Sequence, residues 1–169
     1  MNHQIIIEEL SKNKDVFKSL FTNISDEQKF YKPLPEKWCL LEVLCHLHDE
    51  EIEDFRTRVK QTLETPADPL PPIDPVAWVT ERSYIEQDLE EMLAKFLNER
   101  TRSIEWMGSL TDPKWDNVHE HPKFGPLSAE MFLANWLAHD YLHFRQITRL
   151  KYQFHKQLTG EDLSYAGEW

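Results

Sequence analysis

The chain has 169 residues, 40% of them hydrophobic, which is enough for one domain with a sizeable core and too few for two typical domains. Its 19 basic residues against 30 acidic ones give a formal charge of −11, which opposes contact with a phosphate backbone, so we expect no nucleic-acid partner. No segment has the uncharged apolar length of a signal peptide or a membrane span, so we expect no membrane partner either.

The two cysteines indicate a reducing compartment. If Cys39 and Cys45 lie on one helix, their six-residue separation places them about 9 Å apart along its axis, beyond the reach of a disulfide. We therefore expect the protein to be cytoplasmic.

The first half of the chain contains two long apolar patterns with helical spacing. The first predicts a helix over residues 3–22, after which Ser25 and Gln28 form a capping-box pattern that predicts a short further turn of helix. A proline-punctuated segment interrupts the pattern, which then resumes and predicts a second helix over about residues 39–64. The segment 65–75 holds five of the ten prolines and predicts an extended surface connection.

The second half repeats this organisation. Residues 78–87 are compatible with a short helix, and Asp88 is expected to be the N-cap, with Glu91 completing its capping box, of a third long helix that ends near residue 110. The segment 111–127 is rich in turn residues, and Ser128 is expected to cap a fourth helix that runs to about residue 157.

These patterns define the predicted fold class. No segment shows the alternation of a strand, and the chain contains no repeat and no low-complexity tract. Four principal helices with crossing connections predict an all-α fold: a four-helix bundle with long crossover connections, forming a single domain over residues 1–169. In such bundles, metal sites are built from side chains on facing helices.

The stretch "NWLAHDYLHFRQI" carries two histidines inside an apolar run. His139 and His143 are four residues apart, so on a helix they lie on one face, in the same stripe as Trp136 and Ile147. Two adjacent buried imidazoles repel each other when both are protonated, and a divalent cation removes that conflict by taking a lone pair from each. The same spacing also occurs in ordinary helix cores, so the pair alone leaves both interpretations open.

A third ligand would favour a metal site, because catalytic zinc sites commonly use three protein ligands and one exchangeable position. The segment "LCHLHDEE" offers His46 and His48 on opposite flanks of the apolar stripe, and the later positions Phe55 and Val59 pull the stripe toward His48. Cys45 is better interpreted as a buried small apolar residue than as a ligand. The remaining histidines are expected in a solvated connection or at exposed helix positions: His119, His121, His3 and His155.

Two segments together resemble the DinB-like superfamily of bacterial metal-binding four-helix bundles: "KWCLLEVLCHLHDEEIEDFRTRV" and "GPLSAEMFLANWLAHDYLHFRQITRL". In that family the first ligand is the histidine of an H-x-x-D-x-E pattern, which here is His46, followed by Asp49 and Glu51. The other two belong to an H-x-x-x-H-x-x-Q-I pattern, which here supplies His139 and His143. The resemblance thus implies a three-histidine metal site and selects His46 over His48.

The resemblance also implies activities. Members include metal-dependent thiol transferases, which add low-molecular-weight thiols to electrophiles, together with thiol-dependent isomerases and hydrolases. We therefore expect a transferase that moves a small thiol onto an electrophilic small molecule. The alternatives are a hydrolase in which the ion activates water and a non-catalytic metal-binding stress-response protein.

Such chemistry needs a proton acceptor near the ion. Glu50 is the nearest carboxylate by spacing, one helical turn after His46, and Asp140 is next, although the acidic run "DEEIED" is typical of a solvated helix face. Asp49 and Gln146 are expected to orient the ligands. Neutral imidazoles suit borderline cations, so zinc or nickel is the expected metal.

Two further expectations concern surfaces. Arg56 and Arg145 carry charges that suit either a substrate carboxylate or a surface ion pair. The resemblance and the large apolar residues late in the fourth helix suggest a homodimer; those residues are Phe144, Tyr152 and Phe154.

Overall fold

A computed structural model describes residues 1–167 of the chain. Its helices begin where side chains cap the free backbone N–H groups: Ser25 accepts from the Gln28 amide, Asp88 from Glu91 and Ser128 from Met131. The helices are α1 (His3–Phe21), α2 (Asp26–Lys29), α3 (Leu40–Asp49), α4 (Thr57–Glu64), α5 (Pro75–Glu81), α6 (Leu89–Ser109) and α7 (Ala129–Thr159). A π-helix (Glu50–Arg56) joins α3 to α4 without a break, and short 3₁₀ turns occupy Tyr84–Glu86 and Ser164–Ala166.

Four long helical rods form the bundle: α1, the continuous α3–π–α4 rod, α6 and α7. Helix α1 packs against α6 and α7, and the α3–π–α4 rod also packs against α6 and α7. The α1 and α3–π–α4 rods are therefore diagonal in the bundle, as are α6 and α7, and the connections within these two pairs cross the bundle. The predicted all-α bundle with crossover connections is confirmed.

One element was not predicted. Residues Val118–His121 (β1) and Gly125–Ser128 (β2) form an antiparallel hairpin inside the segment that was expected to be a plain connection. The sequence gives little warning because both strands are only four residues long, one contains proline, and neither alternates polar with apolar residues. The hairpin buries His119, which was predicted to be solvated; its Nδ1 lies 3.0 Å from the Pro66 carbonyl oxygen.

The bundle interior has an apolar region at each end and a polar layer between them. Along α7, Trp136 belongs to one apolar cluster and Ile147 to the other, with the two histidines between them. The other rods follow the same order, each placing buried polar side chains between residues of the two clusters. These side chains are Asn13 of α1, Asp49, Glu50 and Glu51 of the α3–π–α4 rod, Glu99, Arg100 and Ser103 of α6, and Asp140 and His143 of α7. His46 borders this layer, between Cys45 and Leu47 of one apolar cluster.

Two of the residues that suggested a homodimer pack against aromatic rings of the same chain. The Phe144 ring lies 4.5 Å from that of Phe17, and the Phe154 ring lies 5.6 Å from that of Tyr31. The homodimer stays a prediction, with less support from these two residues. Across residues 1–167, none of the helices combines the length and apolar content that a membrane crossing requires.

Candidate metal centre

Three histidines from two neighbouring rods converge in the polar layer. His46 lies near the end of α3, and His139 and His143 lie one turn apart in the middle of α7. One nitrogen from each ring can be chosen so that all three nitrogens lie within 4.8 Å of one another. The Nε2 atoms of His139 and His143 are 3.0 Å apart, and the ring of His46 lies 4.9 Å from that of His143.

This arrangement fits a divalent metal ion. Nitrogens bound about 2.0–2.1 Å from one ion lie roughly 3 Å from each other, which is the separation of the two α7 nitrogens. Nδ1 of His46 and Nδ1 of His143 are buried and lack a hydrogen-bond partner within residues 1–167. Buried polar atoms without partners are unfavourable in a core that serves packing alone, so the Nδ1 of His46 favours a ligand role for that ring. His143 faces His139 through Nε2, so its own Nδ1 adds no such support.

All three rings are held in the neutral form that coordination requires. Burial and, to a smaller extent, the neighbouring imidazoles lower the pKa of His46 to about 3 and that of His139 to about 2. Burial also lowers the pKa of His143 to about 4, against the opposing effects of Gln146 and Asp140. Each ring therefore has a lone pair available at neutral pH.

The π-helix explains why His46, and not His48, faces this cluster. The ring of Phe55 lies 4.8 Å from that of His139, and the ring of His46 lies 5.5 Å from it, so both side chains project to the same side. They are nine residues apart, which in an uninterrupted α-helix would place them on opposite faces. The π-helix between them has more residues per turn and realigns them. His48 instead contacts Asp49, with 2.9 Å between Nδ1 and Oδ1.

Glu50, the predicted proton acceptor, is buried, although its acidic run is typical of a solvated face. Its Oε1 has no hydrogen-bond partner within residues 1–167. Burial raises the pKa of Glu50 to about 7, while the positive charge of Arg58 acts to lower it. Glu50 is not a member of the three-histidine cluster, and its role as a proton acceptor stays a prediction.

The acidic run is buried because a cation on another rod compensates it. The Arg100 guanidinium, 1% exposed, bonds Glu51 through Nε at 2.9 Å and Asp140 through both terminal nitrogens at 2.7 Å. Asn13 and Trp136 complete this network by donating to Asp140 and Glu51. Asp140 is thereby occupied and fully buried, so it does not serve as the alternative proton acceptor. Sequence reasoning missed Arg100, which carries no motif of its own.

Several other predicted roles are resolved by the contacts. Asp49 does not orient His46: its carboxylate accepts from Tyr84 Oη at 2.6 Å and from Arg82 at 2.8 Å, besides contacting His48. Cys45 is buried and free, as predicted, with its Sγ near the Tyr84 carbonyl oxygen. Arg56 is engaged in an ion pair with Glu99 at 2.7 Å.

Four helical rods around a buried polar layer, with three histidines converging from two of the rods, define a helical-bundle protein with a candidate metal centre. The chain belongs to the DinB superfamily: the family's model matches residues 9–147, a range that includes His46, His139 and His143. The resemblance seen in the sequence is thus confirmed.

A solved structure supports the fold. The chain is similar to YfiT from Bacillus subtilis, described as "a probable metal-dependent hydrolase with an unusual four-helix bundle topology", with a TM-score of 0.78 over 95% of this chain and 89% of that one. The sequences are 21% identical, so the likeness establishes the architecture. No curated protein matches the chain.

Proposed function

We propose that this protein is a divalent-metal-dependent enzyme whose ion is held by His46, His139 and His143. The observation that carries the proposal is the convergence of three neutral imidazole rings, those of His46 and His143 buried and that of His139 partly buried, with nitrogens within 4.8 Å of one another, at the centre of the bundle. Zinc and nickel are the preferred ions, because imidazole nitrogens suit borderline late first-row cations.

The site leaves room for an exchangeable ligand. A purely structural zinc site would recruit a fourth protein ligand. The obvious candidates are engaged or outside the cluster: His48 contacts Asp49, the Cys45 thiol lies against the Tyr84 carbonyl oxygen, and Glu50 is not a member of the group. This arrangement favours a catalytic role over the non-catalytic alternative.

The nucleophile has to come from outside the protein. Burial raises the pKa of Cys39 to about 11 and that of Cys45 to about 12, so neither thiol ionises at neutral pH. A divalent ion in this cluster, when bound, would lower the pKa of a coordinated thiol or water and supply the nucleophile. Glu50, with its pKa near neutrality, is proposed to accept the proton that this nucleophile releases.

Two reactions follow. The first candidate is transfer of a small thiol to an electrophilic substrate, by resemblance to thiol transferases of the DinB superfamily. The second is hydrolysis, which the description of YfiT as a probable metal-dependent hydrolase favours. The three-histidine site serves either reaction, because both need a nucleophile, thiol in one case and water in the other, whose pKa is lowered by the ion, together with a proton acceptor.

The cobalt-substituted protein tests the proposal. Cobalt replaces zinc at such sites and gives a strong absorption band when sulfur is a direct ligand, so spectra are recorded alone and with L-cysteine or 2-mercaptoethanol. A band that appears only with added thiol supports the transferase, and bound cobalt without such a band supports the hydrolase. A band without added thiol indicates a cysteine ligand and overturns the exchangeable site. Failure to bind cobalt, zinc or nickel overturns the proposed function, and His46→Gln is the negative control.

A further inference from the structure

A cavity of about 610 Å³ is lined by residues that precede α3 and by α7 residues that follow His143. Its volume lies within the range of small-molecule sites. Trp38 and Leu150 contribute apolar surface to its wall, and Lys37, Arg149, Gln146 and Gln153 contribute polar groups.

The charge of this cavity contrasts with that of the whole chain. Lys37 and Arg149 are both exposed and make no ion pair or side-chain hydrogen bond with the rest of residues 1–167. None of the residues that line the cavity is acidic, although acidic residues outnumber basic ones by 30 to 19 in the chain. Two uncompensated cations and two amide side chains therefore surround one cavity, and all four can donate hydrogen bonds.

Two residues link the cavity to the metal centre. Trp38 lines the cavity, and its ring lies 4.9 Å from the ring of His46. Gln146 also lines the cavity, and its side chain acts to raise the pKa of His143, which lies one turn earlier on α7. A ligand in the cavity thus lies against residues that contact two of the three proposed metal ligands.

We infer that this cavity binds the substrate of the proposed reaction, and that the substrate is a small molecule with a carboxylate on an apolar body. Lys37 and Arg149 bind the carboxylate, because charge-assisted hydrogen bonds from these cations match its two oxygens. Trp38 and Leu150 pack against the apolar part. This inference rests on the proposed function for the chemistry next to the cavity, while the recognition of the carboxylate is separable from it.

A matched pair of compounds tests the inference. 4-Phenylbutyrate and its neutral amide, 4-phenylbutanamide, have nearly the same shape, and titration calorimetry on metal-free protein measures their binding without a metal–carboxylate bond. We expect the carboxylate to bind at least about tenfold more tightly than the amide. Sodium chloride at high concentration should reduce this preference, because both cations are exposed to screening.

Variants test whether Lys37 and Arg149 cause the preference for the carboxylate over the amide. Lys37→Gln with Arg149→Gln should abolish it, whereas Arg145→Gln, an exposed arginine on the same helix that does not line the cavity, should preserve it. Equal binding of acid and amide, no binding of either compound, or a preference that survives the double variant would overturn the inference. Zinc binding is measured separately on the unaltered protein and on each variant. If the unaltered protein does not bind zinc but still prefers the carboxylate, the proposed function is overturned and the carboxylate site stands.

Discussion

The protonation of Glu50, the proposed general base, is controlled by its surroundings. The side chain is 5% exposed, and its Oε1 has no hydrogen-bond partner within residues 1–167. Burial raises the pKa of Glu50 to about 7, and the nearby charges of Asp49 and Glu53 act in the same direction. A carboxyl group with this pKa both accepts and releases a proton near neutrality, which is the property that proton transfer requires.

The same environment predicts how Glu50→Gln affects stability. The folded pKa is raised above its ordinary value of 4.5, so ionised Glu50 costs stability as the pH rises from about 4.5 through 7. Glutamine avoids this cost, so the variant should be more stable than wild type at pH 8, by up to about 3 kcal/mol, and nearly equal at pH 4. Urea unfolding at both pH values measures the difference, and Glu90→Gln, at an exposed site in α6, is the control. A Glu50→Gln effect that is independent of pH would contradict the buried, partner-free environment.

The choice between His46 and His48 is tested by metal content. His46→Gln should bind less than about a tenth of the zinc that wild type binds, because three imidazoles provide most of the binding free energy and the ring is buried. His48→Gln should retain zinc, since its ring contacts Asp49 outside the cluster. His139→Gln and His143→Gln should behave like His46→Gln. Elemental analysis after dialysis against trace zinc measures this, and loss of zinc in the His48 variant with retention in the His46 variant would reverse the assignment.

The helices themselves were largely predictable, because their signals are local. Caps at Ser25, Asp88 and Ser128 and the apolar spacing placed most helix ends within about two residues of those observed. The π-helix was not predictable, since no residue in Glu50–Arg56 marks it and its effect appears only when His46 and Phe55 are seen to share a face. A helical wheel assumes a constant turn per residue, and this interruption is what pulled the predicted face toward His48.

The burial of the acidic run was unpredictable for a different reason. Glu51 is compensated by Arg100, which lies 49 residues further along the chain on another rod. No local pattern shows such a pairing, so charge density alone suggested solvent. The network joins three rods, because Glu51 lies on the π-helix, Arg100 on α6 and Asp140 next to His139 on α7.

Removing Arg100 should destabilise the bundle strongly. Arg100→Met would leave the carboxylates of Glu51 and Asp140, 1% and 0% exposed, without their cation, which costs about 3–5 kcal/mol when one partner of a buried ion pair is lost. Arg102→Met is the matched control: that side chain is 62% exposed, and its pair with Glu99 should contribute less than about 1 kcal/mol. Chemical denaturation of both variants measures the difference. Equal effects would show that the network is not a major contributor to stability.

At the scale of the whole molecule, the polar layer makes stability depend on both pH and metal. The apolar clusters at the two ends are indifferent to protons, whereas the layer between them holds three imidazoles in their neutral form. Protonation of these rings and occupation by a cation are mutually exclusive, because both use the same lone pairs. Acid therefore acts against the folded state and against metal binding through the same three side chains.

The sign of this dependence gives the last prediction. The pKa values of the three histidines are about 3, 2 and 4 in the folded chain against an ordinary 6.5, so below pH 6.5 the unfolded chain binds protons that the folded chain does not. The metal-free protein should thus lose stability as the pH falls from about 6.5 toward 4, by about 2 kcal/mol per histidine at pH 5. Glu50 acts in the opposite direction in this window, but it is common to wild type and to a variant in which His46, His139 and His143 are all replaced by glutamine. The variant should therefore show a shallower loss. Zinc should raise the melting temperature of wild type at pH 7.5 and also at pH 5, through binding to the folded state alone, because rings with these pKa values stay neutral at pH 5 and compete with protons only below about pH 4. Thermal unfolding with and without zinc at the two pH values measures both effects; loss of the zinc stabilisation already at pH 5 would contradict the low pKa values of the rings, and the same stabilisation in the triple variant would place the ion elsewhere in the protein.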